Sequence, residues 1–147
     1  MHSEELRAIE DIRQLKARYF RVLDEQDWDA LERIFTETAE IDTTDDGAPI
    51  LSGGVAFRKF LEPILAGVKT VHHGHTSEIV LISADEASGI WAMEDRLWFP
   101  EASGGGYLHG FGWYRERYCR GPEGLWRIDA MRLQRIRVDN GREDSGS

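Results

Sequence analysis

The chain has one cysteine, four prolines and fewer basic than acidic residues. Each shortage excludes something. The lone Cys119 rules out an intrachain disulfide framework and suits a reducing, cytoplasmic compartment. No apolar run approaches the roughly 18 residues of a membrane span. Lys and Arg total 18 against 27 Asp and Glu, for a formal net charge of −9. That balance argues against nucleic acid, which needs a basic face, and against anionic membrane surfaces. Arg127, Arg132, Arg135 and Arg137 cluster, but on a strand-like segment with acids nearby. The opening Met1-His2-Ser3-Glu4-Glu5-Leu6-Arg7 is charged and lacks an apolar core, so no signal peptide is expected. There is no internal repeat and no low-complexity segment. Gly104-Gly105-Gly106 reads as a hairpin loop, because no strand, Gly-rich turn and helix follow in the order a phosphate cradle needs.

What is present is the composition of an ordinary soluble domain. The hydrophobic share is 41% and the charged share 31% over 147 residues, enough for one core but not two. Residues 1–147 therefore form one domain, with a polar tail from Asp139 to Ser147 expected to fray.

The front of the chain is helical. Leu6, Ile9, Ile12, Leu15, Tyr19 and Leu23 recur every three or four residues and predict an amphipathic helix from about Glu4 to Glu25, with Ser3 as N-cap. Asp27 caps a second, short helix bearing Trp28, Leu31 and Phe35. A short strand over Glu40 to Thr44 turns at Asp45-Asp46-Gly47. A third helix carries Phe57, Phe60, Leu61, Ile64 and Leu65, and Pro63 should kink or end it. After Gly67 the pattern becomes β, with strands near 69–83, 86–99, 105–120 and 125–138. Helices followed by a meander of long strands make an α+β fold, in which a curved, mostly antiparallel sheet forms a cone closed at one mouth by the helices.

Alternation within the strands locates chemistry. Trp91, Met93, Asp95, Leu97 and Phe99 share one face. Asp95 is thus an acid in an apolar register, where it needs a partner or a raised pKa. In the next strand Tyr107, Phe111 and Trp113 share one face, and Tyr114 and Tyr118 the other. One face is expected to line a pocket and the other to pack on helices or another subunit. His72, His73 and His75 cluster at the start of the first long strand. Imidazoles at i and i+3 beside acids can hold zinc or iron. On an extended strand, however, those positions point to opposite faces, and no HxxxH pattern completes a set, so no metal is expected. Spacing alone does not choose among the three histidines. Tyr19 could be a core tyrosine. Asp24 could cap a turn, although a carboxylate near a helix C-terminus opposes the dipole.

Three stretches carry a resemblance: Tyr19-Phe20-Arg21 with Leu23-Asp24, Gly74-His75-Thr76 with Glu78-Ile79, and Glu94-Asp95. On these the whole chain resembles the SnoaL-like group of the nuclear-transport-factor-2-like superfamily, and most closely the bile-acid 7α-dehydratases. The superfamily also contains scytalone dehydratase, ketosteroid isomerase and limonene epoxide hydrolase. The resemblance implies a cone-shaped α+β barrel around a deep pocket. It implies a catalytic Tyr19, Asp24, His72 and Asp95. The Asp24–His72 pair also resembles the dyad of hexachlorocyclohexane dehydrochlorinase. Where scytalone dehydratase has a second tyrosine on its early strands, this chain has Thr43 and Thr44, which points away from a scytalone-like substrate.

The expected activity is a cofactor-free elimination next to a carbonyl, with no nucleic acid or membrane partner. The substrate would be an apolar, flat, hydroxylated ketone held by Trp28, Phe57, His75, Met93, Phe99 and Trp113. The eliminating members it resembles imply a homotrimer. An isomerase or cyclase using the same groups, or a non-catalytic ligand-binding protein, are the alternatives.

Overall fold

The structure, a computed structural model, describes residues 2–142. Helix α1 spans His2–Glu25, α2 Trp28–Glu32 and α3 Gly54–Ile64. Strand β1 spans Phe35–Asp42, β2 Leu51–Ser52, β3 Lys69–Leu81, β4 Glu86–Trp98, β5 Tyr107–Arg120 and β6 Trp126–Gly141. All six strands form one sheet in the order β2-β1-β6-β5-β4-β3, antiparallel except for the β1–β6 pair. This is the expected α+β cone: three helices packed on a curved, mostly antiparallel sheet.

The apolar stripe of α1 explains its seat across the sheet. Ile12, Leu15, Tyr19, Phe20, Val22 and Leu23 are all buried, and a buried Leu, Ile or Phe contributes roughly 1.5–3 kcal/mol. Leu6 is exposed, so the stripe reaches the core only from its second turn on. The helix already includes His2, which puts the expected cap, Ser3, inside the first turn instead. Pro63 lies in the last turn of α3, which ends one residue later. Asp27 does cap α2, accepting the Ala30 N–H at 3.2 Å. The first strand starts earlier than expected, at Phe35.

The end of α1 is shaped in detail. Gln26 adopts a left-handed conformation at φ 56°. Its N–H donates to Leu23 O and that of Asp27 to Val22 O, the paired bonds of a Schellman cap. Glycine would be easier at such a position, but the Gln26 amide donates to Leu65 O at 2.8 Å and Val68 O at 3.0 Å. That side chain ties the end of α1 to the link between α3 and β3. It thereby fixes Asp24, two residues upstream, against β3.

One irregularity sets which residues of β3 face inward. β3 breaks register between His75 and Glu78, with Thr76 at φ 46°. A bulge of this kind reverses the in–out alternation. Thr70, His72 and Gly74 face the concave side before it, and Ile79 and Leu81 after it, while His73 and His75 are exposed. β6 remains paired through Gly141, with Asp139, Asn140 and Gly141 opposite His109, Leu108 and Tyr107, where fraying was expected. The rest of that expected tail, 143–147, lies outside the described residues. No helix of the described residues is long and apolar enough to cross a membrane.

Candidate active site

The C-terminal turn of α1 and the start of β3 bring Asp24 and His72 together. Asp24 Oδ1 lies 2.7 Å from His72 Nδ1 and accepts the Thr70 hydroxyl at 2.8 Å, while Oδ2 accepts the His72 backbone N–H at 2.9 Å. These donors satisfy a carboxylate that the helix dipole alone would disfavour. A carboxylate accepts only, so Nδ1 carries a proton, and in the neutral ring it is Nε2 that has the lone pair. The His72 side chain is 10% exposed, enclosed yet reachable.

Across β3 and β4, His72 stands directly opposite Asp95. Asp95 Oδ2 is 3.8 Å from His72 Nε2, beyond a hydrogen bond. Its strong partner is Arg135 of β6, which donates from Nη1 to Oδ1 at 2.8 Å and from Nη2 to Oδ2 at 2.9 Å. This bidentate fork is the geometry that satisfies an almost fully buried acid. Arg135 also donates from Nε to Asp46 Oδ1 at 2.9 Å, and its backbone N–H donates to Asp45 Oδ2 at 2.8 Å. The turn after β1 is thereby latched onto the site. Burial opposes the guanidinium charge, but Asp95 and Asp46 outweigh it and hold the group above its ordinary pKa. Gly110 makes room for the fork: a Cβ there would collide with Arg135 Nη1 and Asp95 Oδ1.

Tyr19 is buried and hydrogen-bonded to Tyr114. Burial drives its pKa far up, the Tyr114 bond pulls the other way, and the charges of Glu116, Asp24 and Asp95 add to the rise. Its hydroxyl therefore stays protonated, a donor. Below it lies a buried ion pair: Lys16 Nζ donates to Glu116 Oε2 at 2.7 Å, and Tyr118 donates to Glu116 Oε1 at 2.7 Å. The ammonium sits 3.6 Å and 4.0 Å from the Tyr114 and Tyr19 ring centroids. Desolvation lowers the Lys16 pKa to about 8, against the pull of Glu116.

The expected substrate contacts divide. Met93 lies in the core with its sulfur 3.8 Å from Arg135 Nη1. Phe57 meets Phe35 edge-on at 5.5 Å, and Phe35 meets Tyr19 at 5.9 Å. Trp28 and Phe99 are half-buried against the same core. A wide-open cleft of about 630 Å³ lies at the end of α1, lined by Asp24, Glu25, Gln26, Gly67, Val68, Lys69, Thr70, Val71 and Trp98, and none of Trp28, Phe57, Met93 and Phe99 lines it. His75 and Trp113 are not brought to this group. The bulge after His75 leaves that residue exposed on the convex side, and Trp113 alternates outward from the buried Gly112 and Tyr114. The inward aromatics of β5 are Tyr114 and Tyr118. Thr70, Tyr114, Asp46 and Arg135 were missed as site residues. A signal existed for Arg135, which shares a period-two register with Met131 and Leu133.

The structure is thus an α+β cone with a histidine held by a helix-end aspartate on its concave face. The SnoaL-like domain model matches residues 4–132, and the chain belongs to that family. A probable cyclase of Gibberella zeae is 27% identical over 134 residues, which cover 85% of this chain and 89% of the relative. Solved structures share the fold. A hexachlorocyclohexane dehydrochlorinase superposes with a TM-score of 0.86 at 18% identity, covering 100% of both chains. A scytalone-dehydratase-like protein of Novosphingobium aromaticivorans gives 0.82 at 21% identity, covering 97% of this chain and 93% of its own.

Proposed function

We propose that the protein is a cofactor-independent lyase that eliminates water, or a comparable leaving group, next to a carbonyl. The substrate would be a hydroxylated polycyclic ketone, steroid-like or polyketide-like. The observation that carries the reading is the 2.7 Å contact of His72 Nδ1 with Asp24, which leaves Nε2 as a base.

In the proposed step Nε2 takes the proton from the carbon beside the carbonyl. The electron pair forms the enolate and then the new C=C bond as the C–O bond breaks. The imidazolium returns its proton to the departing oxygen, and water leaves. Asp24 orients the ring and stabilises the imidazolium. Asp95, 3.8 Å from Nε2, adds negative potential where that positive charge forms, tempered by Arg135. Tyr19 supplies a hydrogen bond to the oxygen on which charge develops, and its raised pKa keeps that proton in place. Trp28, Phe57, Met93 and Phe99 would form the apolar walls.

The relative from Gibberella zeae supports a second reading, a cyclase or isomerase using the same base and donor. Product mass separates the two: elimination removes the mass of water, whereas isomerisation leaves mass unchanged.

The assembly we propose is a homotrimer, as the resemblance to the eliminating members of the family implies. Sedimentation at a clean monomer mass would overturn this part.

A further inference from the structure

The convex face carries a second group of histidines that the proposed reaction does not use. The alternation of β3 puts His73 and His75 on the same outward side, two residues apart. Glu94 of β4 stands directly across from His73. His75 Nε2 lies 3.8 Å from Glu94 Oε1, and one ligand atom from each of His73, His75 and Glu94 falls within 4.8 Å of the others. His109 of β5 approaches the other side of the carboxylate, with Nε2 2.8 Å from Glu94 Oε2 and its ring 4.5 Å from Phe111.

We propose that His73, His75 and Glu94 form a binding site for a borderline divalent transition metal ion, of the zinc type, with His109 as a positioning residue on Glu94. Two imidazoles and a carboxylate are a zinc donor set that leaves a fourth position for water or a further ligand. Imidazole selects such ions over magnesium or calcium. Zn–N and Zn–O distances near 2.0–2.1 Å place tetrahedral donors about 3.3 Å apart, so the group must contract by roughly 1.5 Å at most. Side-chain rotation can do this, because the His75 and Glu94 side chains are 52% and 36% exposed, while the paired β3 and β4 backbones keep their places. His109 would hold Glu94 as an outer partner holds a ligating carboxylate. The pair set aside in the sequence, His72 with His75, does point to opposite faces. The pair that shares a face is i and i+2.

Zn(II) and Co(II) are the probes, titrated into tag-free full-length protein by calorimetry and by visible absorption of bound Co(II). The site predicts one ion per chain and intense Co(II) bands of tetrahedral coordination. It predicts loss of both in His73→Ala, His75→Ala and Glu94→Gln, and affinity weakened about 10–100-fold in His109→Phe. His2→Ala and His72→Ala should bind as the wild type does. Circular dichroism checks that each variant folds, as expected for His73 and His75, whose side chains lie on the exposed outer side of β3. No stoichiometric binding to the wild type, or binding that survives Glu94→Gln and His75→Ala, would overturn the site. Loss of binding in His72→Ala would move the ion to the concave face and contradict the assignment equally.

Discussion

Lys16→Met tests the interior beneath the site. The Lys16 and Glu116 side chains are both at 0% exposure, and their 2.7 Å pair is the ammonium's anionic partner. The substitution leaves the Glu116 carboxylate with the Tyr118 hydroxyl alone. Breaking one side of a buried pair costs roughly 3–5 kcal/mol. At about 3–4 °C per kcal/mol for a chain of this size, the melting temperature should fall by roughly 10–20 °C at fixed protein concentration. The double variant Lys16→Met with Glu116→Gln removes the stranded charge and should recover most of the loss, because apolar replacement of a whole buried pair is often neutral. Urea titrations of both singles and the double give the coupling directly. The pH dependence has a definite sign. The folded Lys16 pKa is about 8 against 10.5 for the free side chain. Below pH 8 both states hold the proton and the cost of burying it is fully present. Between pH 8 and 10.5 the unfolded chain binds more protons, so stability rises with pH relative to the Lys16→Met variant. A single-variant cost of about 1 kcal/mol or less, with no such trend, would refute the desolvated pair.

Other substitutions probe the site itself. Gly110→Ala inserts a Cβ into the Arg135–Asp95 fork and should destabilise by roughly 3 kcal/mol or more in urea titration; wild-type stability would mean the fork tolerates separation. Asp24→Asn replaces an acceptor with a group that can donate to Nδ1 and turn the tautomer round. It should cut kcat about 10²–10⁴-fold with little change in KM, and a loss of only a few-fold in steady-state kinetics would remove Asp24 as the orienting group. Tyr19→Phe should lose less than removal of the base, mainly in kcat; an unchanged kcat would leave Tyr19 a core residue.

Much of this architecture was legible because its signals are local. The α1 stripe, the Asp27 cap, the end of α3 at Pro63 and the inward register of Asp95 each depend on a few neighbouring residues. The parts that were hidden depend on long-range pairing. Counting back by twos from Ile79 and Leu81 would carry His75 and His73 into the pocket; the left-handed Thr76 and its bulge reverse that phase. The same bulge leaves His75 outside, and Trp113 lies on the face of β5 that α1 does not cover. Arg135 is forty residues from Asp95 and meets it only because β6 and β4 flank β5. The two-residue β2, paired with β1, has no pattern of its own to read.

The measurement closest to the central claim is a mass-spectrometric turnover screen of hydroxy-keto steroids and aromatic polyketides, run with the wild type and with His72→Ala. The proposed elimination predicts a product lighter by the mass of water, whose rate falls at least about 10²-fold in the variant. Water loss that persists undiminished in His72→Ala would contradict the base. A product of unchanged mass, or tight binding with no turnover, would contradict the lyase.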